Sequence, residues 1–114
     1  MADFEIKNGV AVIPEGVRAI GGSAFRGCSS LQSIVIPKGV KKIERSAFSW
    51  CTALTTVTLP IGVNKIDKPA FYECNALTTI YVPAKKTDYY KQRLPKELHS
   101  LIVELQPEKK AKKK

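Results

Sequence analysis

The stretch LQSIVIPKGVKKIERSAFSWCTA, residues 31–53, decides the fold, because the stretches on either side of it repeat its pattern. Prolines mark the repeat at Pro14, Pro37, Pro60 and Pro83, each 23 positions after the last. Seven further columns keep this step: Gly16/Gly39/Gly62, Val17/Val40/Val63, Ile20/Ile43/Ile66, Ala24/Ala47/Ala70, Phe25/Phe48/Phe71, Cys28/Cys51/Cys74 and Leu31/Leu54/Leu77. A ladder with this period predicts a solenoid, in which each repeat stacks on the one before it.

Each repeat divides into three sides. Residues 31–37 alternate apolar side chains and end on a proline, which cannot donate to a continuing ladder, so they predict a short strand. After a turn, Val40 and Ile43 point inward. Residues 46–51 predict one helical turn, because their apolar side chains group at helical spacing. Pro69 in the third copy fits the first turn of a helix, where a missing N–H costs little.

The amino-terminal end departs from the repeat, as the end of a stack does. Phe4 and Ile6 are apolar at alternate positions and predict a short strand that covers the open end. The first repeat also carries Asn8 and Ala11 where the later ones have leucine and isoleucine.

The carboxyl-terminal end predicts a helix followed by a strand. Residues 89–94 are compatible with a helix, with Thr87 or Asp88 as N-cap and Pro95 as its end. Applying the repeat step to Ile80 and Val82 gives Val103 and Leu105, so residues 101–105 are interpreted as a last strand. A helical interpretation of the same stretch also has the right spacing, and the strand is preferred.

These elements predict a right-handed solenoid with a parallel sheet of strands near residues 11–13, 34–36, 57–59, 80–82 and 102–105. A single domain is expected over residues 1–107, with repeats at about 8–30, 31–53, 54–76 and 77–107, the last including the cap. Residues 108–114 are lysine-rich and without sufficient apolar content, so they are predicted to be a disordered tail.

The column pattern L-x-x-I-x-I-P-x-G-V-x-x-I-x-x-x-A-F-x-x-C closely resembles the BspA-like leucine-rich repeat over about residues 10–83. The resemblance implies an α/β-type leucine-rich-repeat solenoid of short parallel strands, turns and short helical turns. It also implies a bacterial or protist protein, of a family often attached to the cell surface and linked with adhesion to other proteins. Residues 82–105 are similar to the helix-then-strand caps of such arrays.

Composition and charge narrow the class of protein. Hydrophobic residues make up 44% and charged residues 25%, which is ordinary for a globular chain. The net charge is +9, but five tail lysines leave 14 basic against 10 acidic residues over 1–108, or +4. Because the chain lacks an 18-residue apolar run, no membrane span is expected, and because it lacks a secretory signal, a cytoplasmic location is expected. The protein is also expected to be a monomer. If a leader was removed, the expected place is the cell surface or the exterior.

The cysteine column does not predict a catalytic or metal site. Cys28, Cys51 and Cys74 stand one above another, whereas zinc needs four ligands around a point. We therefore expect buried, reduced thiols behind the phenylalanine column rather than redox or metal chemistry. His99 is the only histidine and is interpreted as a surface or cap residue. No cofactor, metal or catalytic residue is predicted, and the chain is not expected to be an enzyme.

The favoured function is protein binding by the outward strand positions. If Ile34 and Ile36 point inward, Val35 must point out. The candidate columns are Val12/Val35/Thr58/Tyr81 and Ser33/Thr56/Thr79, with Trp50 and Tyr72 on the helical-turn ridge as second choice. Tyr81 and Trp50 are the favoured anchors, because large amphipathic rings dominate protein interfaces. The alternative is structural: Tyr81 covers the edge before the cap and Trp50 shields its own repeat.

A second hypothesis is the binding of a polyanion or nucleic acid through basic residues and the lysine tail. Six basic residues fall in nearby columns and could form a stripe: Arg18, Lys41, Lys42, Arg45, Lys65 and Lys68. Glu44 and Asp67 interrupt the stripe, so a solvated face is the favoured interpretation and nucleic acid is not the expected partner. Salt would weaken such binding steeply, unlike packed apolar contacts.

Deleting residues 108–114 should leave the thermal unfolding midpoint unchanged and reduce any attraction to polyanions, because a tail without apolar residues contributes little to packing. Circular dichroism melts of the full and shortened chains measure the first effect. A midpoint lowered by several degrees would show that the tail docks on the folded part.

Overall fold

The protein is described here by a computed structural model that covers residues 5–105, so the predicted tail lies outside the described residues. Its strands are β1 Glu5–Lys7, β2 Val10–Val12, β3 Ala19–Ile20, β4 Ser33–Val35, β5 Lys42–Ile43, β6 Thr56–Thr58, β7 Lys65–Ile66, β8 Thr79–Val82 and β9 Ile102–Glu104. Its helical elements are a first 3-10 helix at Lys68–Phe71, the α-helix α1 at Thr87–Lys91 and a second 3-10 helix at Lys96–Leu101.

Two sheets run along the stack of repeats. The larger has six strands in the order β1-β2-β4-β6-β8-β9, and the smaller has β3-β5-β7. Ser33 pairs with Thr56 and Thr56 with Thr79, so each step across the larger sheet equals the repeat length read from the sequence. The four predicted repeat strands are confirmed to within one residue, and so is their parallel pairing. The smaller sheet was not predicted, because two-residue strands leave no pattern of alternation.

The core lies between the two sheets and is built of columns. Ile34, Val57 and Ile80 come from successive strands of the larger sheet and are buried side by side. Ile20 and Ile43, from the smaller sheet, are also fully buried. Because each repeat presents the same residue type at the same place, burial of one repeat depends on its neighbours.

The phenylalanine column is a stack of parallel rings. The centroids of Phe25 and Phe48 are 5.2 Å apart, as are those of Phe48 and Phe71, with interplanar angles of 4° and 3°. This spacing is close to the roughly 4.8 Å between paired strands, so the rings repeat with the backbone. Phe48, in the middle, is fully buried.

The third side of each repeat differs from its prediction. Residues 46–51 form turns rather than a helical turn, and Ser46 and Trp50 have left-handed φ values of 59° and 64°. The Trp50 N–H donates to the Tyr72 carbonyl at 2.8 Å, in the next repeat. Backbone groups that bond between repeats are not available for a helix, which explains the difference. Only the third repeat has a 3-10 helix there, with Pro69 in its first turn as predicted.

The amino-terminal strand closes the larger sheet. Ile6 lies opposite Ala11, and β1 is antiparallel to β2, so the predicted covering strand is confirmed. Phe4 lies outside the described residues. The hairpin turn requires Gly9, which has a φ of 82°, and a Cβ there would lie 2.7 Å from the Gln32 side chain.

The carboxyl-terminal helix is shorter than predicted and starts differently. Thr87 and Asp88 are not the N-cap; Lys86 holds that position without a side-chain cap bond. The Thr87 hydroxyl donates instead to the Glu104 carboxylate at 2.7 Å, which joins the helix to β9. Pro95, predicted to end the helix, lies beyond it and precedes the second 3-10 helix.

The last strand is confirmed, but its predicted register is wrong. The repeat length placed Val103 beside Ile80, whereas the structure pairs Ile80 with Ile102, so the last step is one position shorter than the others. Two helical elements replace the usual turns between β8 and β9, so the repeat length no longer sets the spacing. As a result Val103 and Leu105 are exposed rather than buried.

Tyr90 connects α1 to the third repeat. Its side chain is fully buried, its hydroxyl donates to the Pro60 carbonyl, and it accepts from the Val63 N–H at 3.3 Å. Neighbouring Tyr89 donates to the Val63 carbonyl at 2.8 Å. Burial raises the pKa of Tyr90 to about 12.

Replacing Phe48 by alanine should lower the free energy of unfolding by about 3–5 kcal/mol, because it empties the middle of the ring stack. Urea denaturation measures the loss. Ile61→Ala, at a position that is 62% exposed, is the control and should change stability by less than about 0.5 kcal/mol. A loss at Phe48 no larger than at Ile61 would show that the stack is not a packed core.

Between about pH 10 and 12, the free energy of unfolding should fall less in the Tyr90→Phe variant than in the parent protein. The unfolded chain releases the tyrosine proton at its ordinary pKa near 10, while the folded chain holds it until about 12. Stability from this group is therefore present below pH 10 and lost as pH rises to 12. Denaturation of both proteins at several alkaline pH values measures the difference, and parallel pH profiles would contradict this role of Tyr90.

Candidate interaction surface

The outward side chains of the larger sheet form a continuous row. We call it the outer row: Val12, Val35, Thr58, Tyr81 and Val103. The strand register places its last four members side by side, and Val12 follows from the pairing of the residue before it. Val12 and Val35 are 53% and 61% exposed, and Thr58 and Tyr81 are half-buried. At roughly 4.8 Å per strand, the row is about 19 Å long.

A second row runs beside the outer row and is more polar. It consists of Ser33, Thr56 and Thr79, all half-buried, and Val10 extends it at the amino-terminal end. The Thr56 and Thr79 hydroxyls lie 3.2 and 3.4 Å from those of the preceding threonines. The structure thus places both predicted strand columns on the outer face of the sheet. Their binding role stays a prediction.

The predicted aromatic ridge is a contacting pair on another side. Trp50 and Tyr72 are exposed, and their rings meet edge to face with centroids 6.0 Å apart. Arg26, Gly27 and Trp50 line a shallow depression beside the pair. Because both rings come from the turn side of their repeats, they do not continue the outer row.

Val103 and Leu105 are exposed candidates that sequence reasoning missed. The repeat length assigned both to the core. Alternation along 101–105 gave no signal for the observed face, because it also places Val103 and Leu105 inward and Glu104 outward. Glu104 is exposed in the structure, and hydrogen bonds from the Lys85 N–H and the Thr87 hydroxyl lower the pKa of its carboxylate.

The basic residues are only partly gathered by the fold. Lys42 lies directly opposite Lys65 in the smaller sheet, and each has an acid nearby: Glu44 at 4.0 Å and Asp67 at 3.9 Å. Arg18 and Lys41 line a common depression, and Arg45 and Lys68 are exposed in the neighbouring column. The predicted stripe is therefore interrupted by its own carboxylates.

The three cysteines are free thiols arranged as a ladder. The Cys51 thiol donates to the Phe25 carbonyl at 3.0 Å, and the Cys74 thiol to the Phe48 carbonyl at 2.9 Å. Cys51 is buried, but Cys28 and Cys74 are half-buried, so the predicted shielding holds for Cys51 alone. Residues 5–105 bring together no cluster of three or more potential metal ligands.

Cys51 should react with a thiol reagent much more slowly than Cys28 and Cys74 in the native protein. The reagent needs a thiolate it can reach, whereas Cys51 is buried, and its contact with the Cys74 thiol and its desolvation both raise its pKa. Variants that keep one cysteine each, with alanine at the other two, allow the rates to be compared. Labelling of Cys51 as fast in the native state as in denaturant would contradict the described packing.

Strands that pair at a constant step of the sequence are typical of a repeat protein. The chain belongs to the BspA-type leucine-rich-repeat family: the family model described as "BspA type Leucine rich repeat region (6 copies)" matches residues 5–99. The resemblance seen over 10–83 is therefore confirmed and extends into both caps. No curated protein and no solved structure matched the chain.

Family membership suggests a repeat solenoid that serves as a protein-interaction module, of a kind that is typically non-enzymatic. Within residues 5–105, none of the helices has the length and apolar character needed to cross a bilayer.

Proposed function

We propose that this chain is a right-handed solenoid that binds another protein through the outer row. The observation that supports the proposal is the continuity of that row over five strands, with Val12, Val35 and Val103 exposed. The core is complete without these side chains, because Ile34, Val57 and Ile80 are buried on the other face. Adjacent exposed apolar side chains are typical of interaction sites.

Tyr81 is the proposed anchor of the contact. In the sheet it lies between Thr58 of β6 and Val103 of β9. A tyrosine offers a large ring and a hydroxyl at little cost in side-chain entropy, and such residues carry much of the energy of protein interfaces. Trp50 and Tyr72, on the ridge, are the second proposed contact.

The two rows of the sheet form a narrow strip. Strands of three residues allow a width of only about 7 Å between the rows, against a length of about 19 Å. Standard protein interfaces bury about 800 Å² on each partner, so the strip alone is too small for a broad flat partner. We therefore infer a partner that inserts a few side chains or lays an extended segment across the strands.

The specific form we propose is an adhesion-like, non-enzymatic role, carried by a monomer whose folded domain spans residues 1–107. Family membership supports a non-enzymatic protein-interaction role. The outer row is not part of the core, which is consistent with such a role. Polyanion binding is less well supported, because Glu44 and Asp67 lie beside Lys42 and Lys65.

Site-specific photo-crosslinking tests the proposed face. A photoreactive amino acid at position 35 should crosslink to a partner from an extract of the source organism or its host, whereas the same group at position 61 should not. Ile61 is 62% exposed, like Val35, but lies in a turn outside the strands, so it is a matched control. Equal crosslinking from both positions, or crosslinking from position 61 alone, would overturn the proposal.

Alanine substitution then separates binding from folding. Tyr81→Ala should reduce capture of the crosslinked partner with little change in the unfolding midpoint, and capture should persist at raised salt. Unchanged capture together with lost stability would make Tyr81 a structural residue. Capture that disappears at raised salt would favour the polyanion alternative.

A further inference from the structure

The last strand of the larger sheet has an open edge. Within residues 5–105, β9 pairs only with β8. The Leu105 N–H donates to the Val82 carbonyl at 2.8 Å, so by alternation the N–H and C=O of Glu104 point away from β8. The Ile102 N–H is already bonded to the His99 carbonyl. The Ile102 carbonyl and both backbone groups of Glu104 therefore face the open edge.

The two edges of this sheet are protected very differently. Strand β1 carries Glu5 and Lys7, which are exposed and lie 3.8 Å apart as an ion pair. Strand β9 has no lysine and no proline, and its one charged side chain, Glu104, is bonded to Thr87 of α1. Val103 and Leu105 beside its free backbone groups are 45% and 39% exposed. Natural sheets usually protect an open edge with charge, proline or a bulge, because an unprotected edge pairs with other strands.

Charge indicates which kind of strand would pair there. Five lysines lie between residues 109 and 114, and the first follows Leu105 by four residues. The sequence therefore concentrates positive charge within a few residues of the end of β9. A second copy of the chain carries the same net charge of +9, which opposes pairing of two such edges.

We propose that β9 accepts an extended, acidic segment of a partner protein, which adds one more strand to the larger sheet. The Glu104 N–H and the two free carbonyls bond to the backbone of the added segment. An apolar side chain of that segment lies beside Val103, and its carboxylates are attracted by the positive charge of the lysine-rich sequence that follows β9. This contact forms through the backbone of the sheet edge, whereas the function proposed above uses the side chains of the outer face; the two share Val103 but are different modes of binding.

A proline substitution at the edge is the direct test. The probe is a fluorescent synthetic peptide of alternating threonine and valine, flanked at both ends by glutamates. Glu104→Pro removes the outward N–H but no bond of the ladder with β8, so the sheet should stay intact. Glu104→Ala is the matched control, because both variants lose the contact between Glu104 and Thr87.

Fluorescence anisotropy should show that E104P binds the peptide at least about tenfold more weakly than E104A, which lacks the same carboxylate but keeps the backbone N–H. Both variants should unfold at the same urea midpoint. Equal binding by E104P and E104A would overturn the proposal. Tyr81→Ala should leave peptide binding unchanged, which keeps this test independent of the outer row.

A measurement on the parent chain does not depend on any substitution. The Glu104 amide should exchange with solvent freely in the free protein and slow by at least about tenfold with saturating peptide. Deleting residues 108–114, or replacing the glutamates of the peptide by lysines, should weaken binding and reduce its salt dependence. Unchanged exchange at Glu104 with millimolar peptide would overturn the proposal. Slow exchange of the Glu104 amide without peptide would also overturn it. A dimer in sedimentation would then show that a second copy of the chain occupies the edge.

Discussion

The hydrogen bonds between successive repeats are the constraint on which the rest of the structure depends. They join each repeat to the next at constant positions, both in the larger sheet and on the turn side, where Trp50 donates to the Tyr72 carbonyl. A constant step places like residues over like residues. The ring stack of Phe25, Phe48 and Phe71 and the ladder of thiols follow from it without further specification. The same step leaves one face of the sheet free of core residues.

The sequence was sufficient to predict the structure of the segments that follow the repeat pattern. Because Ile34, Val57 and Ile80 recur with alternating neighbours, the strands, their parallel pairing and their inward face could all be predicted. The turn side was harder to predict. Whether the Trp50 N–H bonds within its own repeat or to the next one depends on the stack, and side-chain spacing does not reveal it.

Prediction failed mainly where the repeat ends. Helix α1 and the second 3-10 helix replace the turns before β9, so the step shortens by one position and every side chain of that strand changes face. The exposed Glu104 carboxylate accepts hydrogen bonds from Thr87 and Lys85, which are contacts between distant residues that the repeat pattern does not reveal. The same difference applies to the candidate site. Alternation was enough to place Val35 and Tyr81 on the outer face, whereas the exposure of Val103 and the open edge of β9 could be found only from the structure.

The proposed partner contacts share a physical origin. A stack of repeats must end, and its last strand exposes both an edge and the side chains that a further repeat would cover. In this chain that end carries Val103, which pairs with Tyr81, and Leu105, and both side chains are exposed. The carboxyl-terminal end therefore offers a sheet edge in addition to the outer row, which also exposes Val12 and Val35 at the other end.

Removing one whole repeat tests the central claim most directly. Deleting residues 54–76 joins Ala53 to Leu77 and preserves the step between repeats, so the second repeat should pair with the fourth and the cap should dock on equivalent residues. Deleting residues 54–75 is the control, because it shifts the register by one and turns core side chains outward. Calorimetry should show a cooperative transition for the first protein and none for the second. Equal folding of both proteins, or of neither, would contradict an account in which the step between repeats determines the structure.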